Sequence, residues 1–204
     1  MNTLRAAAVT AAAVGMTIVP LTTTASAAGT AAPAPRTFLS ASQLPASSTP
    51  WQADAVRRGL PADGSVCTAG IAPKAGSSHR DFRTELDTGA RQTTTVAPST
   101  AAAKALAAKL RASVEGCLDR LKEQYPSLEG EAFYHGRVDV EEGAHVYSID
   151  TADPEAGSSD ISLYSVGRDG RSVTVVEWGQ LGDLDGAPVA GFKKTAGIAV
   201  AKLN

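Results

Sequence analysis

The stretch "VGRDGRSVTVVEWGQ", residues 166–180, carries the reading on which the fold turns. Asp169-Gly170 is a strong hairpin signal, because a type I′ turn needs φ > 0 at both central positions. A turn centred there sets Arg168 opposite Arg171 and Val166 opposite Val173. The strand that follows puts Val173, Val175 and Glu177 on one face and Thr174, Val176 and Trp178 on the other. Apolar residues on both faces predict a central strand of an antiparallel sheet with a helix on at least one side. Glu177 is the exception on a face suited to burial. It is either a satisfied polar residue at a strand end or an acid in a pocket.

Working back from this strand, three further strand-like runs precede it: "EAFYHGRVDV", "AHVYSIDT" and "SDISLYSVG". The turn "EEG" separates the first two and "DPEAGSS" the second from the third. Residues 99–125 carry the clearest helix. Leu106, Leu110, Val114, Cys117, Leu118, Leu121 and Tyr125 recur at spacings of three and four, Ser99 or Thr100 caps the start, and Pro126 ends it. Earlier still, "RDFRTELD" alternates, with Phe82, Thr84 and Leu86 on one face, and "ARQTTTVA" after Thr88-Gly89 is its β-branched hairpin partner. Residues 70–79 form a turn-rich connection. After residue 180 a polar turn leads to a C-terminal helix over 189–203, with Val189, Phe192, Ala196, Ala199, Val200 and Leu203 as its stripe. The predicted fold class is α+β: an antiparallel sheet of four to six strands packed against one long helix and a C-terminal helix.

The N-terminal residues read as an export signal. Arg5 supplies the positive region, residues 6–21 an apolar run, and Ala25-Ser26-Ala27 the cleavage box. Thr10, Thr17 and Pro20 interrupt that run, which falls short of the roughly 20 apolar residues of a spanning helix. The expected organisation is a signal peptide over 1–27, a flexible Pro- and Ala-rich tether over 28–36, and one secreted, extracellular domain over 37–204. The formal net charge of −2 becomes one unit more acidic without Arg5. That balance argues against nucleic acid or an anionic membrane as a partner. Two cysteines, Cys67 and Cys117, read in an oxidising compartment as a structural disulfide, too widely spaced for a redox or metal pair.

Few residues carry a chemical signature. The three histidines are His79, placed in a polar loop beside Arg80, His135, facing about residue 148 or 149, and His145, offset from it. No HxH, HExxH or Cys–His cluster occurs, and no GxSxG elbow. Ser77 and Ser78 adjoin His79, but neighbours in sequence rarely face one another productively. Asp183, Asp185 and Gly186 imitate the first part of an EF-hand loop, yet the position for the bidentate Glu is Lys194. No catalytic residue, metal or cofactor is therefore expected. Trp51 lies in a Pro-rich loop, where it either anchors the loop in the core or stands at a binding rim. Trp178 is expected to pack under the C-terminal helix.

The opening "FLS" segment, the Ala-rich helix with its cysteine, "VGRDGRSVTVVEW" and the Ala-rich C-terminal helix together resemble the extracellular sensor-like domains of actinobacteria. These are typified by the outer domain of the mycobacterial serine/threonine kinase H. The matching stretches are residues 168–176 and 195–202. Members of that family typically hold two disulfides, whereas this chain has one pair and no cysteine after Cys117. The resemblance implies a free-standing extracytoplasmic domain that binds a small ligand or a cell-envelope protein, with no kinase attached and no binding residues to carry over. Sheet–helix clefts being common ligand sites, the candidate binding residues are Trp51, Val175, Glu177 and Trp178. Two other functions stand beside this one. One is an inhibitor of secreted proteases, using the Pro-framed loop of residues 45–67 held by Cys67. The other is a hydrolase with an unrecognised site.

Overall fold

The structure, a computed structural model, describes residues 38–203; the expected signal peptide and tether lie outside them. In chain order the elements are β1 (Gln52–Ala53), β2 (Arg57–Arg58), β3 (Ser77–Arg83), β4 (Gly89–Val96), α1 (Thr100–Glu115), α2 (Cys117–Gln124), β5 (Glu129–Val138), β6 (Ala144–Asp153), β7 (Ser158–Asp169), β8 (Ser172–Leu181) and α3 (Val189–Ala201). All the pairings are antiparallel, in the order β1-β3-β4-β8-β7-β6-β5, with β2 also on β3. The sheet has eight strands rather than four to six. The hairpin and the meander contribute six of these, joined by the β4–β8 pairing; the two extra are two-residue strands. They form because residues 52–58, read as plain loop, lie along β3 and satisfy their backbone there.

Helices cover both faces of the sheet. On one face α3 and residues 38–44 enclose a core of Leu39, Ile161, Leu163, Val176, Trp178 and Phe192. On the other, α1 and α2 bury Leu106, Leu110, Val114 and Leu118 against Val166, Val173 and Val175. Each such fully buried aliphatic or aromatic side chain contributes about 1.5–3 kcal/mol. The two faces of β8 thus serve two separate cores. That is why its apolar residues do not alternate with polar ones.

The single long helix of residues 99–125 is instead two. Gly116, the poorest helix former apart from proline, takes φ −92° and ψ 12° and ends α1. The Arg120 guanidinium then bridges the break, donating to the carbonyls of Gly116 (2.8 Å) and Ser113 (2.7 Å). The apolar periodicity crosses this break unchanged, so it could not reveal it. Tyr125 falls off the stripe and is 49% exposed. Ser99 is the cap, accepting from the Ala102 N–H at 3.1 Å. The C-terminal helix closes at Ala201, two residues early, though Leu203 remains buried.

Three local expectations also change. The first strand runs from Ser77 to Arg83, so residues 77–79 are sheet and not connection. Thr84 turns the chain by bonding the Thr88 carbonyl, which leaves Leu86 63% exposed. The β7–β8 turn is centred on Gly170-Arg171, so Arg168 faces Val173 and Val166 faces Val175. This register needs a positive φ only at Gly170 (+52°), as in a type II′ turn, and spares Asp169 that conformation. Glu142, from the neighbouring hairpin, accepts from the Gly170 N–H (3.0 Å) and from Arg168 (2.9 Å), which holds the turn in place.

Candidate ligand-binding site

Cross-strand pairing lines up one residue from each of six strands in a single row. Asp81 faces Arg91, Arg91 faces Glu177, Glu177 faces Tyr164, Tyr164 faces Tyr147, and Tyr147 faces Tyr134. Alternation puts the whole row on the α1 face. Arg91 bonds Asp81 through Nε and reaches the Asp63 carbonyl at 2.6 Å. The charged half of the row thus lies under the chain segment of residues 60–72.

That segment is fastened at several points. Cys67 is disulfide-bonded to Cys117, at the start of α2. The Ser113 hydroxyl donates to the Cys67 carbonyl at 2.7 Å. Thr68 donates to Glu177 Oε1 at 2.6 Å, and Ser65 meets the Tyr164 hydroxyl at 3.3 Å. Between this roof and the sheet is a cavity of about 210 Å³ lined by Leu60, Thr93, Leu110, Val173, Val175 and Glu177. Outside it an open cleft of about 660 Å³ runs past Arg57, Asp63, Asp81 and Tyr164. Ser65, Arg91 and Glu177 border both spaces, so these three side chains form the partition.

Burial pushes the Glu177 carboxyl up, and the charge of Asp81 adds to this. The hydrogen bonds from Thr68 and Ser65 and the charge of Arg91 act against it without reversing it. Tyr164 is pushed up as well, first by burial and then by Glu177. A carboxyl that resists ionisation can receive a hydrogen bond from an incoming ligand or, when protonated, give one.

Of the four residues named from the sequence, Val175 and Glu177 stand together on the cavity wall. Trp178 turns to the opposite face and is buried in the α3 core, as expected for packing under that helix. Trp51 packs against the same core, and its indole N–H donates to the Pro45 carbonyl at 2.8 Å. Both tryptophan side chains are anchors, separated from the cavity by the thickness of the sheet. The sequence reading missed Ser65, Thr68, Arg91 and Tyr164. Strand geometry puts Arg91, Thr93 and Thr95 on one face of β4, but which face of the sheet that is depends on pairing with β8.

Of the features behind the two other functions, the Ser77–His79 segment is placed differently from expectation. Within the 45–67 loop, residues 52–58 are stitched to β3 and Gly59 bonds Ser77 and His79. His79 is not in a polar loop: it is buried within β3, with Nδ1 2.9 Å from the Gly59 carbonyl. The Ser77 hydroxyl donates to the Pro73 carbonyl at 2.6 Å and meets Thr95, so it is not directed at His79. His135 bonds the Ser148 hydroxyl at 2.8 Å. Among the described residues no group of three or more His, Cys, Asp or Glu is placed to hold a metal, and no helix is long and apolar enough to cross a membrane.

Comparison with protein-family models, curated proteins and solved structures finds no match.

Proposed function

We propose that this chain is a secreted, non-catalytic binding domain of the sensor-like kind. Its ligand is a small molecule with an apolar body and a hydrogen-bond-donating or cationic head, seated beneath residues 60–72. The observation that carries this is the cavity itself, whose lining of Leu60, Leu110, Val173 and Val175 is closed by the Glu177 carboxyl. Apolar walls with one or two placed polar groups are the usual chemistry of small-ligand sites. The cavity, at about 210 Å³, is smaller than the roughly 300–1,000 Å³ of drug-sized sites, so the occupant is small.

The test is native mass spectrometry of the protein purified from its own host's medium. The expected result is a stoichiometric adduct that Thr93→Phe, which fills the cavity from a half-buried wall position, removes. A bare monomer from fresh medium would overturn the small-ligand reading and direct attention to a cell-envelope protein partner.

A further inference from the structure

A second hollow lies on the same face of the sheet, at the other side of α1. It has a volume of about 190 Å³ and is built from Lys104, Ala107, Ala108 and Arg111 of α1, His145 of β6, and Val166 and Arg168 of β7. On α1 the spacing is i, i+3, i+4, i+7, which places all four residues on one side of the helix. Two cations stand two turns apart with alanine methyls between them, and the small side chains keep the space open.

The charge around this hollow is not balanced. Glu142 also borders it, but that carboxylate is already taken up by Arg168 and the Gly170 N–H. Among the described residues neither Lys104 nor Arg111 forms an ion pair. The partner of Arg111 is the imidazole of His145, 2.8 Å away at Nε2. A guanidinium can only donate, so Nε2 accepts and the ring is neutral, its proton on Nδ1 facing the Tyr134 hydroxyl at 2.8 Å. Burial, and then the charges of Arg111 and Arg137, hold His145 below its ordinary value, with Glu115 opposing. A half-buried guanidinium bonded to a neutral acceptor, beside a lysine with no counter-charge, leaves net positive potential focused in a concave, partly apolar space.

We propose that this hollow binds a tetrahedral oxyanion, a phosphate or sulfate group either free or esterified on a small molecule, with Lys104 and Arg111 as its principal contacts. Arg111 supplies paired donors that match such an anion and Lys104 a point charge, while Arg168 at the wall keeps Glu142 neutralised. The site is independent of the cavity at Glu177.

The experiment is isothermal titration calorimetry of the secreted protein with sodium phosphate and with glycerol 3-phosphate at low ionic strength. Both probes present the same oxygens, so tighter binding of the ester identifies a headgroup as the natural form, and equal or weaker binding identifies the free ion. Lys104→Gln and Arg111→Gln are each expected to weaken the better probe about tenfold or more. Ala108→Glu, at an exposed helix position, places a carboxylate in the hollow and is expected to abolish binding with an unchanged circular dichroism spectrum. Lys109→Gln removes an equal charge from a different side of α1 and is expected to leave affinity unchanged. No heat from either probe at about 10 mM would overturn the proposal. So would a Lys109→Gln loss as large as that of Lys104→Gln, since the effect would then be net charge alone.

Discussion

The Thr68 hydroxyl lies 2.6 Å from Oε1 of Glu177, although 109 residues separate them. This bond joins the disulfide-held roof to the central strand of the sheet, at the partition between inner cavity and outer cleft. Roof and floor are therefore coupled through a carboxyl whose charged form burial disfavours. The roof's position and the protonation of Glu177 ought to depend on one another.

Because burial raises the Glu177 pKa, the folded protein holds that proton more tightly than the unfolded chain. The stability this group contributes is present at pH below the ordinary value of 4.5 and is lost as pH rises through the folded pKa. His135 and His145 act oppositely. Their values are lowered, chiefly by burial, so their contribution is present above 6.5 and lost as pH falls below it. Glu177→Gln is thus expected to raise the melting temperature at pH 8, with the gain shrinking toward pH 4.5. Thermal melts across that range decide this; an offset that is constant with pH would show that Glu177 does not titrate abnormally.

The Cys67–Cys117 bridge closes a separation of 50 residues, for which loop-closure entropy predicts about 4 kcal/mol of stabilisation. Urea unfolding of the Cys67→Ala/Cys117→Ala variant measures it. The roof over the cavity is expected to loosen first, seen as faster amide exchange at residues 60–72 than in the sheet. Uniformly faster exchange would contradict a local role for the bridge.

Gln92 is fully buried in β4, where its Oε1 accepts from the Leu39 N–H at 2.8 Å and its Nε2 donates to Thr174 at 3.1 Å. Gln92→Leu strands a buried backbone donor, and a loss of about 1–3 kcal/mol follows. Chemical denaturation reads the loss directly. A neutral substitution would mean that residues 38–44 are not held by this bond.

Phe82 and Leu86 share a face in the alternating run, yet one is 3% exposed and the other 63%. Phe82→Ala is expected to cost about 3–5 kcal/mol, whereas Leu86→Ser should stay within about 0.5 kcal/mol of the parent. Comparable losses at the two positions would place Leu86 in the core, against the turn at Thr84.

The elements were legible in the sequence because their signals are local. Period-two alternation marked the strand at Phe82, four strand-like runs marked the meander, the three-and-four spacing marked the stripes of α1, α2 and α3, and two cysteines in a chain read as exported implied their bridge. Val175 and Glu177 were legible as one face of one strand for the same reason. Where several local solutions are nearly equivalent, tertiary contacts chose among them. The β7–β8 turn moved to Gly170-Arg171, where Glu142 meets the Gly170 N–H, and the long helix broke at Gly116, where the Arg120 side chain bridges the carbonyls of Ser113 and Gly116. The site belongs to that second class. Arg91 stands beside Glu177 only through β4–β8 pairing, and Thr68 only because the disulfide lays its segment over the sheet. Backbone propensity acts over a few neighbouring residues, whereas register and layer contacts are fixed when the two cores close around the sheet. No pattern along the chain encodes that closure.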